Sequence, residues 1–269
     1  MNDHRTEQRF LPYSQAFQTM KRWRTVATYL LYAISVISIG IPVLNQRSTT
    51  PVIATTLAIA YYFNYLFIVS YYVVNVVTEV FLYPAAARQR RLNLIDNSLG
   101  SRFLGQDSQG YFSNDIIPIS PYKLCVNCFE NCFFTYNLAK GMYKAVITKN
   151  AAFALVFLSL AYVGIKSNSV GLPILQIFLS ALFLTDLIHH LNFTSKLSIL
   201  FERFKQFFME ATTNLSIKDA LHYPVALLMD YETTLAYNKG PMSDRVYNAM
   251  KKKLSEEWEQ MKIYYKILG

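Results

Sequence analysis

The sequence predicts an all-α, polytopic membrane protein with four transmembrane helices and a helical cytoplasmic module. Three observations predict it. Of 269 residues, 53% are hydrophobic and only 16% charged, where an ordinary soluble domain carries about 25% charged residues. Four stretches are apolar enough, and long enough or nearly so, to cross a hydrocarbon layer about 30 Å thick, which takes roughly 20 helical residues. The net charge of +9 is concentrated in the segments that flank these stretches on one side only, the asymmetry that orients membrane proteins.

Residues 1–25 read as a cytoplasmic amphipathic segment carrying Arg5, Arg9, Lys21, Arg22 and Arg24. Residues 26–77 hold the first two spans, Val26–Leu44 and Pro51–Val77, both uncharged and joined by a link whose only cation is Arg47. Residues 78–149 form a cytoplasmic helical segment with Arg88, Arg90, Arg91, Arg102, Lys123, Lys140, Lys144 and Lys149. Residues 150–187 hold the third span, Asn150–Ile165, and the fourth, Val170 to Leu187, joined by KSNS as a tight hairpin. Residues 188–269 return to the cytoplasm as a lysine-rich helical segment. Both termini and the middle segment therefore belong on the cytoplasmic side. No cleavable signal precedes the first span, because the apolar run starts late and lacks a small-residue exit.

The three cysteines lie in YKLCVNCFENCFFTY. On a helix, Cys125, Cys128 and Cys132 share one stripe about 60° wide. A structural zinc site needs four ligands, and the nearest histidine in sequence is His189. The stripe reads as a buried helix face of reduced thiols, with a metal or redox site as the alternative. The other side holds Lys123, Asn127, Glu130 and Asn131. That face is either solvated surface or a surface that reads a polar ligand. The preceding loop, Gln106–Pro121, offers Tyr111 and Phe112 as stacking groups. The helix continuing from span two offers Arg88, Arg90, Arg91 and Arg102 as phosphate donors. These ten residues, Arg88 to Asn131, are the candidate ligand-binding set.

Within span two, Tyr61, Asn64, Tyr65, Tyr72, Asn75 and Glu79 fall within about 100° of arc. Polar groups at membrane depth face protein or water, so this stripe is a packing seam, an oligomer interface or a pore lining. No charge lies in the middle of any span, which argues against a proton-coupled transporter. Asp186, His189 and His190 have metal-compatible helix spacing, but four histidines in the chain are too few for a membrane di-iron enzyme. In the C-terminal segment, Leu197, Leu200, Phe201, Phe204, Phe208 and Ala211 form one apolar side. A helix from Tyr223 to Ala236 follows. Ser243 caps a last helix whose stripe is Val246, Met250, Leu254, Trp258, Met261 and Tyr265. No phosphate-loop, dinucleotide, nucleophile-elbow or zincin motif occurs. The expectation is a protein that is not an enzyme, with no catalytic residues, no metal and no cofactor.

Several segments taken together resemble one family. EQRFLPYSQAFQTMKRW, before span one, is similar to its Q-R-x-L-Y-x-x-A opening. PAAARQRRLNLID, after span two, is similar to its Ala-Ala, Gln and Asp stretch. DYETTLAYNKGPMSDRVYNAMKKKLSEEWEQM resembles its C-terminal tract. The two-plus-two order of spans also matches. The family is the four-transmembrane effectors associated with second-messenger oligonucleotide synthetases of bacterial antiphage signalling. After Asp96, NSLGSRF stands where the family has a tryptophan-containing stretch. The resemblance implies a homo-oligomeric effector in the bacterial inner membrane. It would be gated by a cyclic di- or trinucleotide on the cytoplasmic module and would breach the bilayer to abort infection. Lipid and the second messenger would be its partners, and neither DNA nor RNA would be. The residues alone also permit a membrane scaffold or small channel subunit that binds proteins and no nucleotide.

Overall fold

The computed structural model describes residues 11–45, 50–106, 112–166, 171–214, 220–238 and 243–267. Among them the regular structure is all helical. The elements are α1 (Ser14–Asn45), α2 (Pro51–Val76), a π-helical turn (Val77–Leu82), α3 (Tyr83–Leu99), α4 (Pro121–Lys166), α5 (Gly171–Thr213), α6 (His222–Asn238) and α7 (Asp244–Tyr264). Four helical stretches are long and apolar enough to cross a membrane, lying within Ser14–Asn45, Pro51–Leu99, Pro121–Ile165 and Ile174–Thr213.

All four of these stretches are longer than their apolar runs. No proline or glycine separates the cysteine stretch from the third span except Gly141, and one glycine costs a helix only about 1 kcal/mol. The two therefore merge into the single helix α4. Span four and the Phe-rich segment merge into α5 in the same way. The segment before span one is continuous with that span from Ser14 onward. Pro84 accounts for the π turn. It has no N–H for the carbonyl four residues back, and its ring crowds that carbonyl. The chain widens just before it, and the Tyr83 N–H bonds to Thr78 O in the i→i−5 pattern.

The chain divides into two units. A span bundle is built from residues 13–88 and 150–184, and a helical body chiefly from 89–149 and 185–269. The bundle core is Leu31, Ile34, Ala154, Phe157, Leu179 and Phe183. Phe153 stacks on Phe183 at 4.7 Å, an arrangement that adds about 1 kcal/mol beyond area burial. Arg24 of α1 pairs with Glu79 at 2.9 Å, and its guanidinium lies 5.8 Å over the Tyr83 ring.

One polar node sits inside the bundle. Pro42 lies within α1, so the carbonyl of Ser38, four residues earlier, has no helical N–H to accept. Gln176 of α5 donates to that carbonyl at 3.5 Å. Asn64 of α2 donates to the Ser38 hydroxyl at 3.3 Å. All three residues are buried. A proline in α1 thus frees the carbonyl that Gln176 of α5 uses, while the hydroxyl of the same serine holds Asn64 of α2.

The body core is aromatic. Phe129 of α4 stacks on Phe204 at 5.4 Å and Phe208 at 5.1 Å of α5. It meets Trp258 of α7 edge-on at 5.3 Å. Cys125, Cys128 and Cys132 are free and wholly buried in this core. Burial pushes all three thiols up, so they behave as small apolar side chains. Gly141 marks the close approach of α4 to α7: a Cβ there would stand 2.9 Å from Met250 Sδ and 3.2 Å from Val246 Cγ1.

Candidate ligand-binding residues and a buried polar network

The candidate ligand set begins at the end of α3. Asp96 anchors the turn that follows, accepting from the Ser101 hydroxyl at 2.7 Å, Phe103 N–H at 3.0 Å and Leu104 N–H at 2.9 Å. Burial raises its pKa, but the three donors outweigh burial and hold the carboxyl below its ordinary value. Gly100 and Gly105 take left-handed φ values of 70° and 67° in this turn, a region that favours glycine. The turn carries the chain toward Phe112–Ser120, which leads into α4.

The polar face of α4 is not a surface. Asn127, Glu130 and Lys123 are buried, which corrects the expectation that they form an exposed polar side. Asn114 donates both amide hydrogens inward, to Asn127 Oδ1 at 2.9 Å and to Glu130 Oε2 at 2.6 Å. Asn127 donates to Asn97 Oδ1 at 2.9 Å and Ser98 Oγ at 3.0 Å. The Ser113 hydroxyl reaches Glu130 Oε1 at 3.4 Å. Trp258 Nε1 of α7 donates to Ser113 Oγ at 3.1 Å, and Lys262 Nζ donates to Ser113 O at 3.2 Å. Lys262 also pairs with Glu259 at 2.7 Å. The polar side of α4 is therefore covered by the end of α3, the loop and α7. Burial pushes Glu130 up to about 7, against the lowering effects of Asn114, Lys262 and Ser113.

The remaining members of the set are dispersed. Arg90 is half-buried and bound to Glu232 of α6 at 2.5 Å, with Tyr231 beneath its guanidinium at 5.9 Å. Arg91 stands 4.0 Å from the same carboxylate. Burial raises Glu232, and Arg90 and Arg91 pull it back. Phe112 is buried beside Leu94 and Leu124, so its ring packs in the core and does not offer a stacking face. Asn131 is half-buried, and Arg88 and Arg102 are exposed. Tyr111 lies outside the described residues.

The stripe on α2 divides. Asn64 turns into the bundle node, and Glu79 pairs with Arg24. Tyr61, Tyr65 and Tyr72 are exposed, Tyr72 lying 6.0 Å from Phe178. Asn75 is half-buried. Asp186 and His189 are exposed while His190 is buried. Among the described residues no group of three His, Cys, Asp or Glu side chains is placed to hold a metal.

Sequence reasoning missed Asn97, Ser98, Ser113, Asn114 and Lys262. One signal was available: Lys262 follows Trp258 by four positions, on the apolar stripe of its helix, where a lysine needs a buried acceptor. No family model, no curated protein and no solved structure matches the chain.

Proposed function

We propose that the chain is a membrane effector of bacterial antiviral defence. A cyclic (oligo)nucleotide bound to the helical body alters the packing of that body, and the change opens the bilayer. The observation that carries this reading is helical continuity. Residues of the body and of the bundle lie on the same unbroken helices, α4 of 46 residues and α5 of 43. No flexible linker intervenes in either, so a shift of α4 or α5 in the body is felt by a span. The motif resemblance supplies the ligand class. The charge asymmetry supports a cytoplasmic body and cytoplasmic termini, and the motif resemblance supports a homo-oligomer in a bacterial inner membrane.

The ligand is held by side chains that remain accessible. Within the body, Arg102 is exposed, and Arg91 keeps 40% of its side chain exposed. Arginine forks match phosphate oxygens in pairs. Arg90, Asn127 and Glu130 then support the receptor from within.

The test is thermal stability of the detergent-solubilised protein against cyclic di- and trinucleotides, together with dye release from liposomes. A ligand at a hundred times its Kd raises apparent stability by about 2.7 kcal/mol. The expected result is a shift with one nucleotide class, lost in Arg91→Ala/Arg102→Ala. No shift with any cyclic nucleotide at millimolar concentration refutes the reading. The second reading is a scaffold or small channel subunit without a nucleotide. It is favoured by the internal use of Arg90, Phe112, Asn127 and Glu130. It predicts a stable complex with another membrane protein that small molecules leave unchanged.

A further inference from the structure

We propose that the span bundle binds one water molecule at hydrocarbon depth, held by the side-chain carbonyls of Asn64 and Gln176 beside Ser38, so that α1, α2 and α5 share one hydrogen-bonded bridge. This goes beyond the functional reading and does not depend on a nucleotide.

Two buried acceptors of the bundle meet at one residue. Asn64 Oδ1 and Gln176 Oε1 are buried and have no hydrogen-bond partner among the described residues. Both amide nitrogens are used on Ser38: Asn64 donates to its hydroxyl and Gln176 to its carbonyl. The two oxygens therefore lie in the same small region of the interior. Gln176 cannot be turned end for end, because that would set its carbonyl against the Ser38 carbonyl, acceptor against acceptor. Pro42 thus shapes the site. By freeing the Ser38 carbonyl it ties down the Gln176 nitrogen, and so leaves the Gln176 oxygen for another donor.

Other buried hydroxyls of the bundle are satisfied within their own helices. Ser35 bonds to Leu31 O, Thr78 to Val74 O and Ser180 to Ile177 O. A side-chain carbonyl has no such recourse, because the backbone N–H groups inside a helix are already taken. Asn150 Oδ1 is a further buried oxygen of this kind, but Asn150 follows Lys149 at the charged end of its apolar run. The Ser38 node lies deeper. Ser38 stands about 9 Å along the helix axis from Leu44, where the first apolar run ends, and Asn64 about 20 Å from Pro51, at a 1.5 Å rise per residue. Lipid chains at that depth offer no hydrogen bond.

Exclusion identifies the occupant. Asn64 is 4% exposed, Gln176 1% and Ser38 0%, so neither lipid nor a second copy of the chain reaches the node. Two acceptors call for a donor with two hydrogens, and the Ser38 hydroxyl has one. A cation would stand there uncompensated: Glu79 is the only carboxylate in residues 13–88 and 150–184, and it pairs with Arg24. A lone charge in such surroundings is far costlier than a neutral donor. Water is neutral and small, and it donates twice. It gives one hydrogen to each carbonyl and accepts from the Ser38 hydroxyl or from a spare amide hydrogen. About three hydrogen bonds is the usual number for a buried water, and a bond through water is enthalpically close to a direct one.

The test is NMR of the full chain in lipid nanodiscs, without added ligand, with the side-chain amides of Asn and Gln isotope-labelled. The expected result is a cross-peak from a long-lived water to the amide hydrogens of both Asn64 and Gln176. Asn64→Leu should weaken the Gln176 cross-peak several-fold, and Gln176→Leu the Asn64 cross-peak, because one molecule serves both. Gln176→Met, close in shape but without the amide, replaces the leucine variant if that one does not fold. Two resolved amides with no water cross-peak overturn the proposal. A Gln176 cross-peak that keeps its full strength in Asn64→Leu overturns the shared bridge. A dry node whose amide resonances move when sodium is exchanged for N-methylglucamine makes the occupant a cation, and also overturns it. The spectrum is read without ligand or leakage, so a dry node leaves nucleotide gating testable on its own, and a missing thermal shift leaves the water site standing.

Discussion

Glu130 makes the stability of the helical body depend on pH. Its carboxyl sits among Asn114, Ser113 and Lys262, and burial pushes it up to about 7 from an ordinary 4.5. A raised acid means that the folded state holds a proton the unfolded chain has already released. The folded state therefore loses stability as pH rises, starting at the unfolded value of 4.5 and levelling off above 7. Below 4.5 both states are protonated and the whole contribution is present. At about 1.4 kcal/mol per pH unit, the window carries roughly 3 kcal/mol. That corresponds to roughly 6–12 °C in Tm for a unit of this size. Glu130→Gln keeps an oxygen for the Asn114 amide and removes the charge. The assay is thermal unfolding of the solubilised protein from pH 5 to pH 8, followed by Trp258 fluorescence in a Trp23→Phe background. Wild type should lose Tm across the window more steeply than Glu130→Gln, and at pH 8 the variant should be the more stable. Glu232 is also raised, and Asp96 is lowered; both are common to the two proteins and cancel in the difference. Parallel pH profiles for wild type and Glu130→Gln would refute the reasoning.

Three further outcomes follow from the packing. Asn127→Leu should destabilise the body by about 3 kcal/mol, because Asn97, Ser98 and Asn114 lose their buried partner and each unsatisfied group costs about 1–3 kcal/mol; hydrogen exchange of the segment 112–130 reads it. Arg90→Ala should cost about 3–5 kcal/mol by leaving Glu232 uncompensated in the interior, and Arg90→Leu/Glu232→Leu should recover most of the loss, as scored by the yield of folded protein. Gly141→Val should cost about 1–3 kcal/mol by overpacking against Met250 and Val246, and Met250→Ala in the same chain should relieve it, measured by thermal unfolding.

The sequence displayed those features whose cause is local. A run without charge is visible as a run, so the four spans could be read from composition. Ser243 could be read as a cap because its partner is three residues away, and its hydroxyl does accept from the Val246 N–H at 3.4 Å. The cysteine stripe could be read as buried because helix periodicity puts three apolar groups together. Its opposite side could not be read, because what covers it arrives from far along the chain. Lys262 is 132 positions from Glu130, and the lid residues Ser113 and Asn114 sit in a loop with no periodicity. The α2 stripe shows a finer limit. Asn64 and Tyr65 fall within one arc of a helical wheel, yet consecutive residues differ by about 100° in direction. That difference is enough to send one inward to Ser38 and the other outward.

The same long-range covering bears on how the body can form. Its core joins α4 to α5, α6 and α7, and the third and fourth spans lie between those two pieces in sequence. Phe129 cannot meet Phe204 and Phe208 until the chain has passed through both spans. Contacts of such separation are slow to form, because loop closure precedes the reward. Here the intervening chain is two long helices, α4 and α5, joined by a short link. Once that helical hairpin stands, it brings the start of α4 alongside the end of α5 and lowers the entropy of closing the body. The spans thus act as the scaffold on which the body assembles. By this argument, cutting the body away from its spans removes the connection that brings its two halves together. A fusion of 89–149 to 185–269 through a flexible linker should fold more slowly than the body of the full chain, and a linker that keeps a helical hairpin should restore the rate.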